Sequence, residues 1–203
     1  MNDMEDLLGD IFSVKLPQPD PKAGYLLVAA PFLDDGCFCH AVVCMIEHSA
    51  DGGSMGLVTN RQSGYMLDEL VESIETDEEI PVFVGGPVHN DRLYYLHTLG
   101  ALIPDSVELA PGLYVGGDFD TVKAYIASGC KVEGCIRFFV GYSGWSSGQL
   151  RRELDGHDWA VARLVCIDDI MSLQEDAAWR TQVSMLGERY RLWLNCPVNA
   201  RLN

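Results

Sequence analysis

Short apolar runs divide the chain into a series of predicted strands. Residues 25–30 form a continuous apolar run that ends at Pro31, a pattern typical of a buried strand. The apolar segments 40–47 and 56–60 flank Asp51-Gly52-Gly53, a turn sequence, and therefore predict a hairpin. The remaining strands are predicted at 81–84, 92–98, 113–115, 135–142 (where Ile136, Phe138 and Val140 alternate on one face) and 159–167.

The sequence predicts fewer helices than strands. Residues 67–74 carry apolar side chains at i, i+3, i+4 and i+7, which predicts one helix. Asp118 is a suitable N-cap for a second helix over 119–128. Ser172-x-x-Glu175 has the form of a capping box and predicts a last helix that ends at Gly187.

The order of these elements predicts an α+β fold, with a mixed β-sheet and flanking helices in a layered arrangement. A doubly wound α/β sheet is the alternative. Residues 22–203 are predicted to form a single domain. Residues 1–21 are acidic and then proline-containing, which predicts an N-terminal arm.

Charge and hydropathy restrict the class of protein. The formal net charge is -16, from 14 Lys and Arg against 30 Asp and Glu, so direct binding to nucleic acid is not expected. Another protein is the expected partner. No apolar run reaches the 18 residues of a membrane span, and the acidic start does not have the form of a secretory signal, so we expect a cytoplasmic protein.

The seven cysteines predict free thiols rather than disulfides or a metal site. An odd number of cysteines without a secretory signal indicates a reducing compartment. The spacing of Cys37, Cys39 and Cys44 is not that of a zinc knuckle, and the Cys130/Cys135 pair has no matching histidine pair. We therefore predict neither a metal nor a cofactor.

Residues 144–148 fit G-x-S-x-G, the pattern that presents the nucleophile of α/β-hydrolases. The triad order requires an acid and then a histidine after Ser146, and the chain offers Glu153 or Asp155 and then His157. Such a triad would lie within one short helix and its exit, which is too local for that fold. We therefore predict no catalytic residue.

A structural interpretation explains the same motif. With Ser146 as N-cap, Gln149 occupies N3 and completes a capping box, while Trp145 and Leu150 form a hydrophobic staple. The motif has a functional interpretation as well, namely anion binding, because a glycine-rich backbone at the start of a helix can bind an anion. The loops 85–87 and 141–149 are the candidates for this. The predicted binding residues are Asn60, Arg61, Gly85, Gly86, Gly144, Trp145, Ser146 and Gln149.

Four landmarks carry a resemblance to the YqgE/AlgH family of bacterial cytoplasmic proteins, over about residues 22–190. They are Glu47-His48 leading to Gly56-Leu57-Val58-Thr59-Asn60-Arg61, then Phe83-Val84-Gly85-Gly86-Pro87-Val88, then Gly141-Tyr142-Ser143-Gly144-Trp145 with Gly148-Gln149-Leu150, and finally Trp179-Arg180 with Leu186-Gly187. The resemblance implies an α/β-type domain without an established enzymatic activity. Some members of the family are described as transcriptional regulators.

Two interpretations of the function follow. The first is a non-catalytic binding or indirectly acting regulatory module, in which exposed Tyr142 and Trp145 supply a surface for a protein partner. The second is an unrecognised enzyme or a sensor of a small anion or metabolite that uses the two glycine loops. The family usually has a small residue where this chain has Ser146, which disfavours a role for that hydroxyl.

Overall fold

The computed structural model describes residues 18–33, 36–172 and 174–196, so most of the predicted arm lies outside the described residues. The strands are β1 Tyr25–Ala29, β2 Val42–Ser49, β3 Gly53–Val58, β4 Gln62–Met66, β5 Pro81–Val84, β6 Val88–His97, β7 Val107–Ala110, β8 Leu113–Val115, β9 Ile136–Trp145 and β10 Trp159–Arg163. The helices are α1 Leu67–Leu70, α2 Phe119–Ala127, α3 Gln149–Asp155, α4 Asp168–Met171 and α5 Glu175–Met185, followed by a 3₁₀ helix, Glu188–Asn195.

The strands join into a sheet in the order β10-β1-β2-β3-β9-β6-β8-β7, with β5 on β9 and β4 on β5. The long strand β9 pairs with three other strands. Its first half pairs with β5 and β6, and its last residues pair with β3. The β5–β9 pair is parallel, and the other pairings of the described strands are antiparallel. The fold is therefore α+β with a mixed sheet, as predicted, and not a doubly wound sheet.

The alternation of side chains along the strands gives the sheet two apolar faces. On one face, residues such as Leu26 and Phe139 form a core with α4, α5 and the 3₁₀ helix, and Trp179 of α5 is fully buried in that core. On the other face, Leu27 packs in a core with α3, while Phe138 packs in a core with α2. Helices therefore cover both faces, and each large apolar side chain buried between the layers contributes about 1.5–3 kcal/mol.

Several predicted elements are confirmed where a local signal fixes them. Strands β2 and β3 form the expected hairpin. Asp118 caps α2, and its carboxylate accepts a hydrogen bond from the backbone N–H of Thr121 at 2.8 Å. Gly129 follows that helix with a φ of +73°, as the C′ position favours.

The helix predicted over 67–74 is wrong beyond its first turn. It ends at Leu70, and Val71 takes an extended conformation. The polar face of the predicted helix carries acidic residues three and four positions apart with no basic partner, which destabilises a longer helix. Ile74 is still buried against the α2 side of the sheet, so the irregular segment keeps its apolar contact.

The predicted capping box of the last helix is also wrong. Helix α5 begins at Glu175 with Gln174 as its N-cap residue. Ser172 instead ends α4, a short helix that the apolar pattern did not predict, and its N–H donates to the carbonyl of Asp168. The short strands β4 and β7 were not predicted either.

Gln18 belongs to the predicted arm and contacts the domain. Its side-chain oxygen accepts a hydrogen bond from the N–H of Val161 on β10, and its side-chain nitrogen donates to the hydroxyl of Tyr190. Within the described ranges, no helix has the length and apolar character needed to cross a membrane.

Candidate binding cleft

The two predicted glycine loops meet, but they pack against each other. A Cβ on Gly85 would lie 2.3 Å from the carbonyl oxygen of Gly141, and a Cβ on Gly86 would lie 2.3 Å from the carbonyl carbon of Tyr142. The hydroxyl of Ser143 donates to the carbonyl of Gly85 at 3.0 Å. The glycines therefore permit a close approach of two backbones, and this contact leaves no room for a ligand between them.

The indole of Trp145 is buried, so the prediction that this side chain is an exposed surface for a partner is wrong. Trp145 is 5% exposed and packs in the core beneath α3. Its N–H donates to Glu153 at 2.7 Å, and the N–H of Trp159 donates to the same carboxylate oxygen at 2.8 Å. Gly144 and Trp145, with Glu47, Val88 and Tyr142, contribute instead to a surface groove of about 470 Å³.

Ser146 is not the N-cap that the sequence predicted. Helix α3 begins at Gln149, and Gly148, with a left-handed φ of 69°, holds the cap position. The hydroxyl of Ser146 donates to the side-chain oxygen of Gln149 at 3.2 Å, and the same oxygen accepts the backbone N–H of Ser146. An amide cannot act as a general base, so this contact does not activate the hydroxyl as a nucleophile.

Asn60 has a structural role. Its side-chain oxygen accepts the N–H of Val42 at 2.9 Å, and its side-chain nitrogen donates to the carbonyls of His40 and Glu175. These hydrogen bonds tie the end of β3 to the start of β2 and to α5. Arg61 donates to the carbonyl of Cys39 at 2.7 Å in the same region.

His40 extends this connection to α5. Its ring stacks on Trp179 with centroids 3.7 Å apart, and its Nδ1 lies 2.6 Å from a carboxylate oxygen of Asp176. Burial alone would raise the pKa of Asp176, but hydrogen bonds from His40 and Arg180 and their charges outweigh it, so the pKa lies below its ordinary value. The predicted binding residues are therefore distributed over separate places: Asn60 and Arg61 beside α5, Gly85 and Gly86 against β9, and residues 144–149 around the groove and α3.

A cavity that the sequence did not indicate lies at another point of the sheet, around Arg137. We call it the Arg137 cleft. It has a volume of about 380 Å³. Its walls are Glu78, Glu79, Ile80, Pro81, Phe83, Val132, Glu133, Gly134, Ile136, Arg137, Met171, Ser172 and Gln174.

Arg137 supplies a buried cation to the wall of this cleft. The residue is 5% exposed, and its guanidinium carbon lies 4.1 Å from the centroid of the Phe83 ring. Its Nη1 donates to the carbonyl of Thr59 at 2.7 Å. Burial lowers the pKa of Arg137 to about 10, because desolvation disfavours the charged form, and the group is still protonated at neutral pH.

Strand alternation explains why a charged side chain is found there. Ile136 and Phe138 point to the α2 side of β9, so Arg137 and Phe139 point to the opposite side, toward α4 and α5. A buried charged residue is more informative than a buried apolar one, because charged side chains are rarely buried. The sequence shows such a residue, Arg137, between Ile136 and Phe138. The other walls come from segments far apart in the chain, which only the fold brings together.

Exposed groups form the opening of the Arg137 cleft. Glu78 and Glu79 precede β5, Glu133 precedes β9, and Ser172 and Gln174 lie between α4 and α5. The cleft thus has a buried cation in its wall, a lining in which polar and apolar groups take similar shares, and exposed carboxylates at its opening.

The sequence of the chain is similar to a known family and to its members. The AlgH-like family profile matches residues 26–191. A UPF0301 protein of Parabacteroides distasonis is 37% identical over 96% of this chain and 98% of its own length. One from Bacteroides thetaiotaomicron is 39% identical over 93% of this chain and 94% of its own length.

Two solved structures have the same architecture. The solution structure of the AlgH protein from Pseudomonas aeruginosa has a TM-score of 0.67 and 28% identity, over 90% of this chain and 98% of that chain. The crystal structure of DIP2367 from Corynebacterium diphtheriae has a TM-score of 0.71, over 88% of this chain and 94% of that chain, and at 22% identity it supports the fold alone. The resemblance seen in the sequence is confirmed, and the chain belongs to the AlgH-like, UPF0301 family.

Proposed function

We propose that the protein is a non-catalytic binding module of the cytoplasm that holds a small ligand in the Arg137 cleft. The observation that carries the proposal is a buried guanidinium in the wall of a cavity of about 380 Å³. The carbonyl of Thr59 and the Phe83 ring hold this guanidinium in place, so an anionic group in the cleft meets a positioned cation. The seven free cysteines fit a reducing compartment.

A regulatory role of such a module is indirect and acts through another protein. The net charge of -16 repels phosphate backbones, so the ligand-bound form is better suited to contact a protein than a nucleic acid. The family membership is compatible with this role without requiring it.

The geometry around Ser146 supports the non-catalytic part of the proposal. Its hydroxyl contacts the amide of Gln149 rather than a histidine or a carboxylate. We therefore expect acylating and phosphonylating serine probes to leave Ser146 unlabelled, as judged by intact-mass measurement and peptide mapping. Stoichiometric labelling of Ser146 would overturn this part and favour an enzyme that uses the adjacent groove.

A thermal-shift screen over metabolite classes tests binding in the cleft. A ligand at a hundredfold excess over its Kd stabilises the folded state by about 2.7 kcal/mol, which is easily measured. Arg137→Met removes the charge from the wall, and Ser172→Trp places a bulky side chain at the exposed opening. Arg151→Ala, on the exposed side of α3, is the control.

The expected result is a ligand class that raises the Tm of the wild type and of Arg151→Ala, with a smaller shift in both cleft variants. Ser172→Trp keeps the test valid if Arg137→Met does not fold. Ligand shifts that are equal in all folded variants would place the site elsewhere, and a screen without any stabilising class would contradict the proposed function.

A further inference from the structure

We propose that the N-terminal segment 1–17 docks on the outer edge of β10 and on the 3₁₀ helix beside it. The surface that receives it shares no residue with the walls of the Arg137 cleft, so the inference does not depend on the proposed function. Two features carry the inference, the position of Gln18 and the charge of the residues around its partners. We call these residues the β10 edge surface: Val161, Arg163, Val165, Arg189, Tyr190 and Leu192.

Strand β10 offers unpaired backbone groups on its outer side. It is the last strand of the sheet order, and no other described strand pairs with that side. The N–H of Ala30 donates to the carbonyl of Asp158, which fixes the alternation of bonded pairs between β1 and β10. The backbone groups of Trp159, Val161 and Arg163 therefore point away from β1. Proteins commonly cover such an edge, because it can otherwise pair with another chain.

Gln18 brings the end of the segment to this edge. Its side-chain oxygen accepts the N–H of Val161 at 2.9 Å, where an added strand would offer a carbonyl. Its side-chain nitrogen donates to the hydroxyl of Tyr190 at 3.0 Å. Pro17 and Pro19 carry no N–H, so the chain cannot continue along β10 as a regular strand. We therefore expect the side chains of the segment to make most of the contact.

The segment and the surface have opposite charges. Exposed arginines flank both partners of Gln18, since Arg163 follows Val161 by two residues and Arg189 and Arg191 adjoin Tyr190. Arg191 pairs with Glu188 at 2.8 Å, which leaves Arg163 and Arg189 as the main source of positive potential. The segment carries one lysine against four carboxylates, namely Asp3, Glu5, Asp6 and Asp10. Attraction between the two is therefore expected.

Both sides also offer apolar side chains. Leu192 is 50% exposed and Val165 is 74% exposed, and each lies close in sequence to a partner of Gln18. The segment contains Leu7, Leu8, Ile11 and Phe12. An extended chain spans at most about 3.6 Å per residue, so Phe12 can reach a point about 20 Å from Gln18. Burial of these side chains against each other adds an apolar contribution to the docking.

The segment is a better occupant of this edge than a second copy of the chain. A tethered segment has an effective concentration on the order of millimolar, and its charge is complementary to the surface. A symmetric pairing of two β10 edges would instead bring Arg163 and Arg189 of one copy toward the same residues of the other. Like charges at such close range oppose the pairing.

Limited trypsin digestion of the full chain tests the inference. Lys15 lies within the segment, so the rate of cleavage after it reports how often the segment is detached. Intact-mass measurement follows this cleavage. Arg163→Glu with Arg189→Glu reverses the charge of the surface, and we expect cleavage about fivefold faster than in the wild type. Arg92→Glu with Lys131→Glu makes the same change of net charge at exposed residues elsewhere, and the rate should stay unchanged.

A change within the segment gives a second readout that does not affect the fold of the domain. Asp6→Asn with Asp10→Asn removes two carboxylates and should speed cleavage after Lys15, because attraction to the surface is lost. In the background of Arg163→Glu with Arg189→Glu, the same change should slow cleavage, because it relieves repulsion. This reversal of sign is expected only if the two groups of charges meet.

Three results would contradict the inference. The first is an equal change of rate in the two charge-reversed pairs. The second is an effect of the segment variant that has the same sign in both backgrounds. The third is protection of Lys15 that increases with protein concentration, since the segment would then dock on another copy of the chain.

Discussion

Glu153 joins α3 to two buried tryptophans. One carboxylate oxygen accepts the indole N–H groups of both Trp145 and Trp159, and the other accepts the side-chain amide of Gln149. Both indoles are almost fully buried, so loss of the carboxylate removes the acceptor of two largely buried N–H groups. The contact also explains why Trp145, inside the G-x-S-x-G motif, is buried rather than exposed.

We predict that Glu153→Ala lowers the free energy of unfolding by about 2–4 kcal/mol, because an unsatisfied buried donor costs about 1–3 kcal/mol. Urea unfolding followed by tryptophan fluorescence measures this. Asp155→Ala on the same helix is the control, since it removes an exposed ion pair with Arg151 that contributes less than about 1 kcal/mol. Equal losses in the two variants would contradict the assigned role of Glu153.

Asp176 gives the stability a dependence on pH in the acid range. Its pKa is lowered in the folded state, so its carboxylate form stabilises the fold above the unfolded pKa of about 3.9. That contribution is lost as the pH falls through the folded pKa. Asp176→Asn is therefore expected to be less stable than the wild type at pH 7, and the difference should decrease below about pH 4. Urea unfolding at several pH values measures it, and a difference that does not change with pH would contradict the prediction.

Among the helices and strands, the sequence correctly predicted those features that a few neighbouring residues determine. Asp118 and Gly129 fix both ends of α2, and the Asp51-Gly52-Gly53 turn fixes the β2–β3 hairpin. Ser146 satisfied the same local rule as Asp118, yet Gly148 became the cap, because β9 continues to Trp145 and the chain turns two residues later.

The Arg137 cleft could not be predicted in the same way. Its walls come from the segment before β5, from β9 and from the link after α4, and their meeting depends on long-range strand pairing. The alternation along 136–140 did predict correctly the face that Ile136 and Phe138 share. What remained hidden was the cavity opposite them, which no local pattern describes.

The close contact between β9 and the link that follows β5 depends on glycine at position 86. We predict that Gly86→Ala lowers the free energy of unfolding by about 2–4 kcal/mol, because its φ is +151° and the new Cβ would meet the backbone of Tyr142 and Ser143 within 2.4 Å. Gly36→Ala is the control, since a Cβ there has no neighbour within 4 Å. Chemical denaturation measures both. A small loss for Gly86→Ala would show that the two backbones can separate at little cost.

For the molecule as a whole, the excess of acidic residues outweighs the described ion pairs. Pairs such as Lys123–Asp120 and Arg191–Glu188 join residues close in sequence whose carboxylates are exposed, and such pairs contribute little. Repulsion among the carboxylates, by contrast, acts over the entire surface and is reduced by salt. The ionic strength should therefore change stability in the direction set by the net charge.

We predict that raising NaCl from about 0.01 M to about 0.1 M at pH 7 increases the urea midpoint, because the Debye length falls from about 30 Å to about 10 Å and like charges are screened. The control is the same titration near the sequence pI of about 4.5, where the net charge approaches zero and the increase should disappear. KCl should act like NaCl, since the effect is one of screening and not of a bound ion. A midpoint that falls with salt at pH 7 would show that attractive pairs dominate the surface and would contradict the prediction.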